Sequence, residues 1–388
     1  IQELNRLRWL YVDGNNLAEL PAEIGDVNEL LELSVSNNQL LVGLPTSIQK
    51  LNRLKVLYLD GNKLTELPAE IGDLKELWFL SVTNNQLVGL PSSIQKLNRL
   101  RELYLDGNKL TALPAEIGDL KELWQLSVSN NQLVGLPTSI QKLNWLRELY
   151  LDGNKLTELP AEIGDLKELW QLSVSNNQLV GLPTSIQKLN GLSELYLDGN
   201  KLSELPAEFG DLRELWKLSV RWNQLASLPT SIQKLNSLRE LYLDGNKLTE
   251  LPAEVGDLKE LWQLSVSNNK LVGLPTSIQK LNGLSQLYLD GNELTELPDE
   301  IGDLKELWQL SVSNNHLVGL PTSIQKLNWL RELYLDRNKL TELPAEIGHL
   351  GQLRKLGVRG NPLTVDAIRC ALKLEKKGVH SDIAGEYK

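Results

Sequence analysis

A 23-residue period runs through this chain and limits what it can fold into. LYLDGNKLTALPAEIGDLKELWQ at 103–125 is followed by LSVSNNQLVGLPTSIQKLNWLRE at 126–148, and then the first unit returns almost unchanged. Repetition at this spacing means stacked supersecondary units, each touching only its neighbours, in place of one globular core. Such a stack presents a long regular surface and, on this reading, no pocket, which favours binding over catalysis. Aligned on the first leucine, fifteen units start between Leu7 and Leu330, and a divergent sixteenth starts at Leu353.

Within a unit, apolar residues hold positions 1, 4, 6, 11, 14, 18 and 21; in the fifth these are Leu100, Leu103, Leu105, Leu110, Leu113, Ile117 and Leu120. The 4-and-6 spacing is that of a strand, whose alternate side chains share a face. The 14-18-21 spacing is helical, and Pro114 stands where a first helical turn tolerates proline. Each unit therefore reads as a short strand, a turn, a short helical or 3-10 segment and a return. Position 9 is asparagine in all sixteen units, from Asn15 to Asn361. A buried amide persists only where it is hydrogen-bonded, so this column reads as a structural ladder. The second unit has one residue more, and the extra leucine of Asn38-Gln39-Leu40-Leu41-Val42-Gly43 is placed in the turn after the strand.

The pattern LxxLxLxxNxLxxLPxxIxxLxx resembles the leucine-rich repeat family over residues 1–372. Its Leu-Pro-x-x-Ile-x-x-Leu half is similar to the class found in Ras suppressor, plant intracellular Ras-group-related and Roco-type repeat regions. The resemblance implies an α/β solenoid curved like a horseshoe. A parallel sheet of about 16 strands would line its concave face, with short helical or 3-10 segments on the convex side and partner binding on the concave face. The array is read as residues 1–363. The first seven residues match the end of a later unit, so the chain is expected to begin inside a repeat of a longer array. Thr364 and Gly378 bracket a capping helix at 364–378, with Val365, Ile368 and Leu372 on its inner face and Cys370 packed with it. Residues 379–388 read as a tail or linker toward a possible adjoining domain.

Catalytic chemistry is not legible. His316, His349 and His380 fall in unrelated positions of unrelated units, no metal-ligand spacing or phosphate loop is present, and no cofactor is implied. The net charge of −10 disfavours nucleic acid and anionic membrane surfaces as partners, and no apolar run is long enough for membrane insertion. A single cysteine and no Asn-x-Ser/Thr site favour an intracellular setting.

The binding candidate is the outward side of the strands, positions 3, 5, 7 and 8, flanked by 2 and 10. Odd units carry tyrosine at 5 (Tyr58, Tyr104, Tyr150, Tyr196, Tyr242, Tyr288) and aspartate at 7 (Asp106, Asp152, Asp198, Asp244). Even units carry serine at 5 and usually tryptophan at 2, including Trp170, Trp216 and Trp262. With strands about 4.8 Å apart, the tyrosines recur roughly every 10 Å. Tryptophan at 2 alternates with Arg101, Arg147, Arg239 and Arg331, a spacing that permits cation–π stacking. Regularity breaks most around Trp216, Lys217, Arg221, Trp222 and Tyr242; Phe79 and Arg337 also depart from pattern. A protein partner held by exposed aromatic and arginine side chains is the leading expectation. The alternatives are a repeating polymer, such as a polysaccharide, matched to the Tyr-Ser-Asp lattice, and a purely structural or engineered array. Irregular units favour natural tandem duplication over design.

Overall fold

The computed structural model describes residues 6–375 and 378–381, in two compact units that divide after Asn200. Among its described residues, the first unit carries nine three-residue strands, from Trp9–Tyr11 to Glu194–Tyr196. The second carries eight, from Lys217–Ser219 to the two-residue His380–Ser381. Within each unit, successive strands pair in parallel. Leucine at position 4 fixes the register: Leu103 lies opposite Leu126, with Glu102 against Gln125 and Tyr104 against Ser127. This is the stacked α/β arrangement that the repeat implies.

Opposite the sheet, each coil but the last forms a five-residue 3-10 segment such as Ala115–Asp119 or Thr138–Lys142. Each is entered through a proline in extended conformation, as at Pro114 (φ −68°, ψ 153°). The proline ring fixes φ near that value and gives up a donor the turn does not need. The seven apolar positions fill the space between: Leu100, Leu103, Leu105, Leu110, Ile117 and Leu120 have no exposed surface. In most even coils position 14 is only half buried, as at Leu136 and Leu182, each two residues after an exposed valine; Leu228, which follows Ala226, is buried.

Asparagine 9 closes each turn. The Asn154 amide donates to Leu151 O at 3.0 Å in its own coil and to Val128 O at 2.9 Å in the coil before. Its Oδ1 accepts from the Leu133 N–H at 2.9 Å. In the long second unit Leu41 is fully buried while Leu40 is looped out into solvent, so the following strand regains register.

Coils meet unequally on the 3-10 side. A Cβ added to Gly164 would lie 2.2 Å from Ser185 O, so the odd coil has no room for a side chain where the even coil presses on it.

The C-terminal helix is Val365–Glu375, started by the Thr364 hydroxyl accepting from Ala367 N–H at 3.3 Å. Gly378 at φ +92° follows it, and its N–H returns to Glu375 O at 2.9 Å. The buried face is Ala367, Ala371 and Leu374 rather than the expected Val365, Ile368 and Leu372. The two alanines have no bulk to hold the helix away from the last coil, whereas Val365 stays 65% exposed and Leu372 is exposed at the edge. The expected tail also differs. His380 and Ser381 pair in parallel with Lys355 and Leu356, so the chain returns past the helix to extend the sheet. The expected repeat ending at residues 1–5, the helix residues Lys376 and Lys377, and residues 382–388 lie outside the described residues.

Two stability measurements check this packing. In urea melts, Gly164→Ala should cost about 1–3 kcal/mol through overpacking, while Gly181→Ala, which meets no atom within 4 Å, should stay within about 0.5 kcal/mol. Asn154→Ala should cost roughly 1–3 kcal/mol by orphaning buried backbone groups; a parent-like melt would contradict the ladder.

Candidate functional site

Leucine 4 and its partner at 6 point into the stack, which turns positions 3, 5 and 7 outward. The tyrosines at 5 do line this face, but their hydroxyls are engaged. Tyr104 donates to Glu102 at 2.9 Å, Tyr150 to Glu148 at 2.9 Å and Gln171 at 3.1 Å, and Tyr196 to Glu194 at 2.6 Å. Tyr242 bonds Glu240 and Gln263, and Tyr288 bonds Gln309. Tyr58, Tyr104, Tyr150, Tyr196 and Tyr288 are half buried. Burial, then the adjacent Glu102, Glu148 or Glu240 carboxylate, pushes the Tyr104, Tyr150 and Tyr242 phenols well above their ordinary value.

The aspartates at 7 are engaged too. Asp152 Oδ1 accepts from the Ser173 hydroxyl and the Ser175 N–H, both at 2.6 Å; Asp106 does the same with Ser127 and Ser129. Burial raises the Asp152 carboxyl against the lowering effect of these bonds. Asp106, Asp152 and Asp198 are half buried and Asp244 is buried. The expected open lattice of tyrosine and aspartate is therefore corrected: the tyrosine hydroxyls are engaged mainly by the glutamate two residues back in their own strand, and the aspartates by the serines that parallel pairing brings within reach.

The pattern break around residue 220 is a real cluster. Arg221 lies with its guanidinium carbon 4.0 Å from the Tyr242 ring centroid and donates through Nε to Asp244 at 2.8 Å. Lys217 Nζ sits 5.6 Å from the same ring, 5.9 Å from the Trp216 ring and 3.0 Å from Glu240. These cations cover Tyr242, which is why it is buried instead of exposed as expected. Trp216 is half buried; Trp222 remains 59% exposed. Position 8 takes a left-handed backbone in each coil: glycine in odd coils and in the last, Gly360, and asparagine in most of the other even coils, as at Asn130 (φ 55°) and Asn176 (φ 56°). Trp222 adopts φ 53° with no such excuse, and its indole covers Gly245, where a Cβ would meet the ring at 2.2 Å. Arg337 (φ 53°) is the comparable break in an odd coil. The alternation of Gly and Asn at position 8 was the available signal for this strain, and sequence reasoning passed over it.

The flanking tryptophans behave differently from expectation. Trp170 is half buried and Trp262 exposed. Among the described residues no cation–π contact joins the position-2 tryptophans to the position-2 arginines; Arg101 instead bonds Glu122 at 3.3 Å. The surface is also not pocketless. A groove of about 560 Å³ is lined by Arg101, Glu122, Trp124, Trp145 and Arg147, and one of about 410 Å³ by Gly283, Ser285, Glu306, Trp308, Trp329 and Arg331. In the first unit Phe79 adds an aromatic cluster, its ring 4.8 Å from Tyr58 and 5.4 Å from Tyr104. Among the described residues no group of three or more His, Cys, Asp or Glu is placed to hold a metal ion, and no helix is long and apolar enough to cross a membrane.

Comparison with known proteins gives a consistent result. A family model described as a leucine-rich repeat region matches residues 50–134, 94–178, 138–223 and 230–316, and a leucine rich repeat model matches 307–363. A leucine-rich repeat protein of Leptospira interrogans is 39% identical over 98% of this chain and 97% of its own, with TM-score 0.91. The plant peptide hormone receptor RGFR1, solved in complex with RGF2, is 32% identical over 92% of this chain and 64% of its own, with TM-score 0.76. YopM, a leucine-rich effector protein from Yersinia pestis, is 30% identical over 91% of this chain and 88% of its own, with TM-score 0.66. No curated protein matches the chain.

The tyrosine ladder gives the site a pH dependence of definite sign. The folded phenols of Tyr104 and Tyr150 hold their protons above the ordinary value of about 10, and the unfolded chain loses them first. Their contribution is then complete below about pH 10 and is lost as pH rises beyond it. Urea melts taken from about pH 8 to about pH 11.5 should show stability falling above about pH 10, with a shallower fall in the Tyr104→Phe/Tyr150→Phe variant. Equal slopes would count against the ladder.

Proposed function

Because the chain belongs to the leucine-rich repeat family, we propose that it is a non-catalytic recognition module that binds a protein partner across the outward face of the sheet. Trp216, Lys217, Arg221, Trp222 and Tyr242 lie at the centre of that contact. One observation carries this reading: Trp222 is both exposed and backbone-strained. A left-handed conformation costs a residue other than glycine or asparagine roughly 1–2 kcal/mol. The six other even coils before the last avoid that cost with asparagine, from Asn37 to Asn314. An array that copies its own units so closely retains a costly tryptophan where the side chain does something the fold does not need.

The surroundings suit a contact centre. Trp, Tyr and Arg dominate protein-binding energetics, above all when held in one rotamer before the partner arrives. Gly245 beneath the Trp222 indole and the Asp244–Arg221–Tyr242 stack supply that preorganisation. The RGFR1 structure, which holds RGF2, supports a peptide or protein ligand over a small molecule.

The double variant Arg221→Ser/Trp222→Asn returns this coil to the residues at 175–176 and 267–268, so its fold is secure. It should melt about 1 kcal/mol more stable than the parent while losing most of its affinity for a partner captured by the parent chain and then purified. Full affinity in this variant would sink the assignment of the patch.

A further inference from the structure

We infer that the chain carries two equivalent binding grooves for a neutral saccharide, one in each unit, built from residues other than those of the recognition patch. The first is lined by Glu122, Trp124, Trp145 and Arg147, the second by Glu306, Trp308, Trp329 and Arg331. Each residue of one set stands 184 positions from its counterpart, eight coils of 23. The two sets arise from the same phrase, LNWLRELYLD at 143–152 and 327–336. Other even coils place Arg53, Arg99, Gly191, Ser237 or Gly283 where these two place the second tryptophan.

The side chains are open for use. Trp145 is 59% exposed and Trp329 52%. Among the described residues no ring contact joins Trp124 to Trp145 or Trp308 to Trp329, and the guanidinium groups of Arg147 and Arg331 have no hydrogen-bond or ion-pair partner. Both aromatic walls and a five-donor fork thus face the groove unfilled. The volumes, about 560 Å³ and 410 Å³, fall in the range of small-ligand sites with apolar walls and a few placed polar groups.

Charge selects the ligand class. Each groove holds both signs: Arg147 with the Arg101–Glu122 pair in one, Arg331 with Glu306 in the other. An anion would meet the glutamate and a cation the arginine, and in the second groove the two charges cancel. A hydroxyl both donates and accepts, so it satisfies carboxylate and guanidinium together. A pyranose ring adds a flat C–H face that fits against indole. A neutral sugar is the ligand that uses all four side chains.

Tryptophan fluorescence and calorimetric titration of the full chain with cellohexaose, maltohexaose, xylohexaose and chitohexaose would test this, with a heparin hexasaccharide as the anionic comparison. At least one neutral hexasaccharide should bind saturably at two sites per chain. Trp145→Ala and Trp329→Ala should each remove one site, and the double variant should lose about tenfold or more in affinity. The Arg221→Ser/Trp222→Asn variant should bind sugar as the parent does, which separates this result from the fate of the protein-recognition patch. Failure of all four neutral sugars, binding of the heparin fragment alone, or parent-like binding by the correctly folded double variant would overturn the proposal.

Discussion

A leucine-rich coil leaves strand-exit carbonyls and an N–H with no partner of their own, and the asparagine at position 9 answers for them. Its amide reaches the carbonyl at position 6 of its own coil and of the coil before, while its oxygen takes the N–H at position 11 of that earlier coil. An unpaired buried peptide group costs as much as a lost hydrogen bond, so neither coil is complete without the other. The same dependence governs the leucines, which have no exposed surface only because a neighbour lies on each side. Stability in such an array belongs to interfaces between successive coils more than to coils themselves.

This constraint explains where variation is tolerated. Positions 1, 4, 6, 9, 11, 18 and 21 face neighbouring coils and scarcely change. Positions 2, 3, 7, 8 and 23 face outward, and there the chain places Phe79, Trp145, Lys217, Arg221, Trp222 and Trp329. The fold thus separates a rigid part from a writable one. Trp222 tests the limit of that freedom, since position 8 is outward in side chain yet restricted in backbone.

Much of the architecture was legible because the leucine spacing encodes both periods at once, two residues for the strand and three to four for the return. The asparagine ladder was legible for a similar reason: an invariant polar residue beside buried leucines must be satisfied by backbone. The site was legible only in part. The cluster at 216–242 stood out as a break in the copies, but that Arg221 and Lys217 would cover Tyr242 could not be read from a list of outward positions. The buried face of the C-terminal helix was misread because hydrophobic size was weighed above closeness of approach, and two alanines won.

By itself, then, the sequence determined the repeat, its parallel pairing and the division between inner and outer residues, all of which follow from local periodicity. Only the tertiary structure decided which outer groups remain free. Parallel stacking brings Asp106 and Asp152 to the serines of the next coil and Tyr150 to the Gln171 amide, and so withdraws from the surface groups that looked available one coil at a time. It leaves exposed Trp222, held at φ 53°, and Trp145 and Trp329, each facing a half-buried tryptophan 21 residues before it across its groove. Availability is a property of the gap between coils, and no single coil contains it.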